Sequence, residues 1–277
     1  MPGIDRHSLL SRWALGLALA LVANTVRAED YWLEFQPLQP APGSELAVSL
    51  WLGKSFIPEA QQAMQQARTV ALRHITSAGD VDLLPSTRDG ATPLLRLHLV
   101  QPGGHLLSLE RDAARVQLRA RNFNRYLEDE GLLVPLTARR RAGERWSRGK
   151  ERYSRYLKAF VQVGELTDGV STRILGQRLE LVPERDLAEL KIGEKLGVRV
   201  LFEGRPLAGA QVEAFIRGPA DSHPLGPPAS SDHTGRVEFT LSEPGTVLLR
   251  TVHMQRCIGC DDAQWESFWA AYSFAAR

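Results

Sequence analysis

Apolar residues at every second position predict short β-strands over most of the chain. They alternate in this way at 46–52, after a Pro-Gly turn, and at 95–99, before another turn. The same spacing returns in the last third of the chain, at 196–202, 210–216, 237–241 and 247–251. Short strands at regular intervals between turn residues favour β-sandwiches over a parallel α/β sheet.

Two segments in the middle of the chain have apolar residues at helical spacing instead. In the first, Phe123, Tyr126 and Leu127 share one helix face. Asn122 is placed to cap this helix and Gly131 to end it. In the second, the residues at positions i, i+3, i+4, i+7 and i+8 are Tyr153, Tyr156, Leu157, Phe160 and Val161. Both segments are therefore predicted to be helical.

These patterns predict a mainly β protein with two β-sandwich domains of the Ig-like or transthyretin-like kind. Residues 29–175 are expected to form the first sandwich, with a helical insertion at about 122–162, and residues 176–277 the second. The segment 169–176 lacks periodicity and marks the boundary. The Pro-, Gly- and Ser-rich stretch 222–231 is expected to be an exposed loop.

The first 28 residues have the pattern of a secretory signal peptide. Basic residues precede an apolar run from Trp13 to Ala23, and Val26 and Ala28 supply small residues before a cleavage site. The run is too short to span a bilayer, and no later stretch is apolar enough to do so. We therefore predict export to the periplasm, with Glu29 as the first residue of the mature protein.

Overall charge does not point to a partner. The net charge is +2, and removing the signal peptide leaves equal numbers of acidic and basic side chains. Residues 139–158 differ, because they contain nine basic and two acidic side chains. Such a run could attract anionic lipid, polysaccharide or an acidic partner. It is equally explained as a solvated helix face, since Arg152, Arg155 and Lys158 fall opposite the apolar stripe. Nucleic acid is not an expected partner after export.

Cys257 and Cys260 are the two cysteines of the chain, and export makes a disulfide between them the expected state. A redox pair would need a βαβ context, which is missing here. His253 and Met254 suggest a third interpretation, in which these two side chains and the two thiolates bind zinc, nickel or copper(I). His253 can equally be a half-buried strand residue. The other histidines that follow the signal peptide lie singly: His74, His98, His105, His223 and His233.

The segments 202–212 and 232–237 resemble the transthyretin-like sandwiches of carboxypeptidase regulatory domains, which implies a binding or scaffold module. Over its whole length the chain resembles an uncharacterised family of bacterial periplasmic proteins. The segments that carry this likeness are 30–33, 123–131, 151–159, 252–254 and 262–269. The family is sometimes labelled NikM-like, which implies a link to nickel or cobalt uptake. Glu29 stands where relatives commonly have a histidine, so a metal site at the mature N-terminus is not expected.

The sequence lacks the usual catalytic signatures, including Gly-x-Ser-x-Gly, Gly-x-Gly-x-x-Gly and His-Glu-x-x-His. We therefore expect an exported, non-enzymatic binding or accessory protein without a resident cofactor. Its candidate partners are a transition-metal ion, as in nickel or cobalt uptake, or an envelope protein. The alternatives are a structural module that contacts the envelope without metal and an enzyme of unrecognised type.

Overall fold

The computed structural model describes residues 29–219 and 221–277, and they form a mainly β protein. The predicted signal peptide, residues 1–28, lies outside the described residues. Within the described ranges, no helix is both long enough and apolar enough to cross a membrane.

The strands and helices follow one another in this order along the first part of the chain: β1 (Asp30–Gln36), β2 (Glu45–Lys54), β3 (Ile57–Gln62), β4 (Thr69–Thr76), β5 (Gly79–Asp82), β6 (Leu95–His98), β7 (Gly103–Leu118), α1 (Ala120–Asp129), α2 (Leu133–Arg141) and β8 (Gly149–Val163). The second part contains β9 (Leu179–Pro183), β10 (Lys195–Phe202), β11 (Arg205–Pro206), β12 (Gln211–Arg217), β13 (Ser222–Pro224), β14 (Ala229–Ser230), β15 (Arg236–Thr240), β16 (Gly245–Arg256) and β17 (Trp265–Ala276). Single 3₁₀ turns lie at Gln66–Arg68, Leu84–Ser86, Glu144–Trp146, Val170–Thr172 and Leu187–Glu189.

The described strands form three sheets. The N-terminal sheet contains β1, β2, β3 and β6, and the C-terminal sheet contains β9, β10, β11 and β15. The central sheet has the order β13-β12-β16-β17-β8-β7-β4-β5, with β14 also paired to β12. Neighbouring strands of the central sheet run antiparallel except β17 and β8, which run parallel. The predicted loop 222–231 thus contributes β13 and β14 to one edge of this sheet.

Core side chains of the central sheet alternate between its two faces. In β16, Val247 and Leu249 pack in the core with the C-terminal sheet, whereas Leu248 packs in the core with the N-terminal sheet. In β17, Tyr272 packs in the core with the C-terminal sheet, and Ala271 packs in the core with the N-terminal sheet. The three sheets are therefore stacked as layers, and the central sheet is covered on both faces.

The mainly β, sandwich-like class predicted from the sequence is confirmed. The arrangement differs from two sandwiches in succession, because residues on both sides of the 175/176 boundary build the central sheet. The connection is made by β17, whose residues from Trp265 to Phe274 pair in register with those from Glu151 to Phe160 of β8. The two sandwich interfaces therefore share one sheet.

The helix predicted around residues 153–161 is wrong, since this segment is the middle of β8. Tyr156 and Phe160 enter the core with the C-terminal sheet, while Leu157 and Val161 enter the core with the N-terminal sheet. A strand that is buried on both faces has no alternation between apolar and polar residues, and its apolar positions can match a helical period by chance. Lys158, predicted to be solvated, is accordingly buried.

The first predicted helix is confirmed as α1, although it begins before Asn122. Its buried residues are Phe123, Tyr126 and Leu127, as the spacing indicated, and Gly131 follows its end with a φ of +66°. Helices α1 and α2 pack on the ends of β16 and β17, next to the N-terminal sheet and on the same face of the central sheet. We call residues 119–148 the helical cap.

Buried contacts hold the helical cap together. The Arg139 guanidinium donates hydrogen bonds to Asn124 Oδ1, at 3.1 Å, and to the carbonyl oxygens of Glu144 and Ser147, at 2.8 and 2.7 Å. It also lies 4.8 Å from the centroid of the Phe123 ring. Arg139 belongs to the basic run of the sequence, yet its role is internal. The run is therefore divided between the core and the surface.

Candidate functional site

A cleft of about 170 Å³ opens on the central sheet, between the start of β1 and the helical cap. Strand β8 supplies much of its floor, because Glu151, Tyr153 and Arg155 are two residues apart and lie on the same face. Trp269 lies beside them in β17, directly across from Arg155. Tyr31 from β1 and Tyr126 from α1 form parts of its wall. We call this site the aromatic cleft.

Arg155 is held between aromatic rings. Its guanidinium carbon lies 3.9 Å from the ring centroid of Tyr31, 4.7 Å from that of Tyr153 and 6.0 Å from that of Trp269. Within the described residues, the guanidinium makes these cation–π contacts rather than ion pairs. Stacking fixes the plane of the guanidinium and leaves its N–H donors at the edge of that plane.

Glu151 is buried at the base of the aromatic cleft. Tyr126 Oη donates a hydrogen bond to Glu151 Oε1 at 3.0 Å, and Ser267 Oγ donates another to the same oxygen. Trp269 Nε1 in turn donates to Ser267 Oγ at 3.1 Å. Burial raises the pKa of Glu151 to about 7, although these hydrogen bonds and Arg155 favour the charged form. The carboxyl group therefore changes charge near neutral pH.

The aromatic cleft combines flat aromatic walls with the stacked Arg155 guanidinium and the buried Glu151 carboxyl group, and Glu29 and Arg115 complete its charged lining. Concave sites of this composition are typical of ligand-binding pockets. The sequence pattern does not reveal this cleft, because the apolar spacing of β8 matches that of a helix. The signal that could have revealed it is the alternation of Glu151, Tyr153 and Arg155, which in a strand places all three side chains on one side.

A buried charge cluster fixes the start of β1 beside the cleft. The Arg250 guanidinium pairs with Asp30 Oδ1 at 3.2 Å, Glu130 Oε2 at 2.7 Å and Glu213 Oε2 at 2.8 Å. Burial raises the pKa of Asp30 and of Glu130, and Arg250 partly offsets this effect. The cluster links β1, the end of α1, β12 and β16, so it holds two walls of the cleft in place.

The predicted metal-binding residues His253 and Met254 lie on opposite faces of β16. The His253 ring packs against Phe202 and Phe268, with centroid distances of 4.5 and 6.4 Å, and burial lowers the pKa of His253. Met254 is buried in the core beneath the helical cap. Successive strand residues point in opposite directions, so the imidazole and the thioether do not converge. His253 is thus the half-buried strand residue of the alternative interpretation.

Cys257 and Cys260 are joined as a disulfide, with Cα atoms 5.6 Å apart, in the turn between β16 and β17. Arg152 Nη1 lies 3.7 Å from Cys260 Sγ. A disulfide has no thiolate to offer a metal ion. The four residues predicted as a metal site are therefore not assembled as one.

The structure brings together two histidines that lie singly in the sequence, His74 and His105. His74 Nε2 and His105 Nδ1 are 2.9 Å apart, and His105 Nε2 lies 3.0 Å from the carbonyl oxygen of Gln101. His105 Nε2–H therefore donates to that carbonyl, and His74 Nε2–H donates to His105 Nδ1. Burial and the neighbouring His105 lower the pKa of His74 to about 4. The pair lines a cavity of about 390 Å³ together with His98.

In the part of the chain that the structure describes, no group of three His, Cys, Asp or Glu side chains is arranged to hold a metal ion.

Comparison with known proteins identifies one family, and the matching solved structures include two alpha-2-macroglobulins. The family model described as "Domain of unknown function (DUF4198)" matches residues 26–255. Among curated proteins, none matches this chain. Alpha-2-macroglobulin from Escherichia coli, activated by porcine elastase, is 12% identical; the alignment covers 90% of this chain and 20% of that one, with a TM-score of 0.23. A Salmonella alpha-2-macroglobulin mutant is 11% identical, with 88% and 14% covered and a TM-score of 0.20. The chain thus spans a fifth or less of these structures, and scores this low support no conclusion about fold or function.

Proposed function

The chain belongs to the DUF4198 family, and we propose that it is an exported, non-catalytic binding protein that takes a small organic anion into the aromatic cleft. The observation that carries this proposal is the position of Arg155 between Tyr31 and Tyr153. A guanidinium group offers paired N–H donors in one plane, which match the two oxygens of a carboxylate or the oxygens of a phosphate. An anion in the cleft would supply the acidic partner that Arg155 lacks among the described residues.

The remaining side chains of the cleft suit a ligand that carries a ring. Trp269 and Tyr126 are stacked on each other with an interplanar angle of 13°, and Tyr153 adds a third ring. The cleft volume of about 170 Å³ is below the roughly 300–1,000 Å³ of pockets for drug-sized ligands. The ligand is therefore the size of one sugar or one aromatic ring. Export is supported by the signal-peptide pattern and by the disulfide, which is typical of oxidising compartments.

Titration calorimetry with benzoate, galacturonate and inorganic phosphate tests the proposal. These probes carry a carboxylate on an aromatic ring, a carboxylate on a sugar ring and an anion without a ring. We expect binding of a ring-bearing probe to weaken about 10- to 100-fold in Arg155→Gln, because a charge-assisted pair of hydrogen bonds is lost. Arg152→Gln is the matched control, since its side chain leaves the same strand on the opposite face. Equal affinity in Arg155→Gln and wild type would contradict the proposal.

The affinity for such an anion should fall as the pH rises through about 7. The Glu151 carboxyl group loses its proton in this range and then repels the bound anion. One proton is involved, so the dissociation constant should rise by at most about tenfold per pH unit. Calorimetry from about pH 5.5 to 8.5 measures this slope, and Glu151→Gln should bind with little dependence on pH. An unchanged slope in that variant would mean that Glu151 is not the titrating group.

A second candidate function keeps the transition metal that the family resemblance implies but moves it to the cavity lined by His74 and His98. His74 Nδ1 makes no hydrogen bond within the described residues, and His98 lines the same cavity. Two imidazoles facing one cavity suit nickel, copper or zinc. Native mass spectrometry with nickel, cobalt, copper and zinc, applied to the wild type and to His74→Gln, separates this function from binding in the aromatic cleft.

A further inference from the structure

The outer face of α2 is exposed along its whole length. Leu133 and Val134 are 62% and 81% exposed, although both are apolar. Thr137, Arg140 and Arg141 are exposed as well, and these five residues fall on one side of the helix at positions i, i+1, i+4, i+7 and i+8. The buried residues of α2 are Pro135, Leu136 and Arg139, on the opposite side. One face of α2 thus anchors the helical cap, and the other presents apolar residues at one end and arginines at the other.

Trp146 is a further exposed apolar residue of the helical cap, in the 3₁₀ turn that follows α2. It is 81% exposed, and the Arg145 guanidinium carbon lies 5.0 Å from the centroid of its indole ring. An indole ring that is apolar on its faces and polar at its N–H group prefers the boundary between lipid and water. Leu133, Val134 and Trp146 are three of the most exposed large apolar side chains among the described residues.

The exposed charge of the helical cap is strongly positive. Its exposed basic residues are Arg119, Arg121, Arg125, Arg140, Arg141, Arg145 and Arg148. Its exposed acidic residues are Glu128 and Asp129, and Glu128 pairs with Arg140 at 3.2 Å. Glu130 and Glu144 contact Arg250 and Arg256 instead. Most of these arginines are therefore available to an anionic surface.

We propose that the helical cap docks on an anionic lipid surface, with Leu133, Val134 and Trp146 at the level of the headgroups and the arginines on the lipid phosphates. Positive charge alone would suit an acidic protein equally well. Exposed apolar side chains next to arginines, on a helix without acidic residues, favour lipid, because apolar burial and charge attraction add together there. The docking is independent of the anion site. Because Tyr126 of the cap also forms a wall of the aromatic cleft, docking places that cleft close to the membrane.

Co-sedimentation of the purified exported protein with two kinds of vesicle tests this proposal. Vesicles of phosphatidylcholine with about one third phosphatidylglycerol should bind the protein, and vesicles of phosphatidylcholine alone should bind it at least tenfold more weakly. The triple variant Arg141→Gln, Arg145→Gln, Arg148→Gln should lose about 100-fold in affinity. The control triple variant Lys54→Gln, Arg88→Gln, Arg205→Gln removes the same charge from exposed positions outside the cap and should bind as the wild type does.

Trp146→Ala separates insertion from charge attraction. It should weaken binding to the mixed vesicles and remove the blue shift in tryptophan emission that accompanies binding. The proposal is overturned if the mixed vesicles do not bind the wild type, or if the two triple variants lose affinity equally. It is also overturned if Trp146→Ala leaves affinity and emission unchanged, which would indicate an acidic protein partner or a solvated face.

Discussion

Replacing Lys158 by Met should lower the free energy of unfolding by about 3–5 kcal/mol, because it leaves Glu180 as an unpaired buried charge. Lys158 Nζ lies 2.5 Å from Glu180 Oε1, and both side chains are 1% exposed. The ammonium group also donates to the carbonyl oxygen of Leu181 at 3.2 Å. Burial lowers the pKa of Lys158, and the adjacent Glu180 opposes this effect. The pair ties the segment that enters β9 to the central sheet, since Glu180 accepts hydrogen bonds from the backbone N–H groups of residues 175 and 176.

Urea unfolding of Lys158→Met, Glu180→Gln and the double variant measures this effect. The double variant should lose less stability than the two single variants together, because neither charge remains alone in the core. Arg96→Met is the matched control: its ion pair with Glu45 is more than half exposed, so the change should cost about 0–1 kcal/mol. A loss below about 1 kcal/mol in Lys158→Met would show that water reaches Glu180.

Replacing Arg250 by Met should have a comparable effect at neutral pH, about 3–5 kcal/mol, because three buried or nearly buried carboxylates lose their shared cation. The loss should shrink as the pH falls. Burial raises the pKa of Asp30 and Glu130 above the values of the unfolded chain. On acidification, the folded variant therefore takes up protons at a higher pH than the unfolded chain does. The cost of each of these carboxyl groups to stability is complete above its folded pKa, and it disappears as the pH falls from the folded pKa towards the lower pKa of the unfolded chain.

Urea unfolding of wild type and Arg250→Met at pH values near 7 and near 5 tests whether the loss of stability shrinks on acidification. The difference between the two proteins should be smaller at the lower pH. Arg178→Met serves as the control, since Arg178 pairs with Glu203 at an exposed position and its small effect should not depend on pH in the same way. A difference that grows on acidification would mean that the carboxylates stay charged and rely on another cation.

The sequence predicts a strand best where one face of that strand is solvated. In β2, Leu46, Val48 and Leu50 are fully buried and the residues between them are not, so the alternation is visible. Strand β8 has a core on each side, and its pattern is indistinguishable from that of a helix. The shared central sheet could not be predicted at all, since it depends on the pairing of β8 with β17, more than a hundred residues apart.

The aromatic cleft could not be predicted from the sequence either, because its residues are far apart along the chain. Tyr31, Tyr126 and Trp269 come from three distant segments, and only the layered fold brings them to Arg155. The histidine pair likewise depends on the register that sets His74 in β4 opposite Leu107 and beside His105 in β7. The local sequence pattern did locate α1 and the disulfide. The residues that define the buried face of α1, and the two cysteines, are each only a few positions apart in the sequence. The spacing of the predicted metal set did not show that His253 and Met254, as adjacent residues of one strand, lie on opposite faces of β16.

The position of β17 in the central sheet has a consequence for the order of folding. This strand is the last in sequence, yet it lies between β16 and β8 and connects two groups of strands. Before residues 265–276 are in place, β8 and β16 each present an open edge of unpaired N–H and C=O groups, the kind of edge that promotes aggregation. Closure of the sheet must wait for a contact between distant segments, which is a slow step. A chaperone that shields these two edges during synthesis would therefore raise the yield of folded protein.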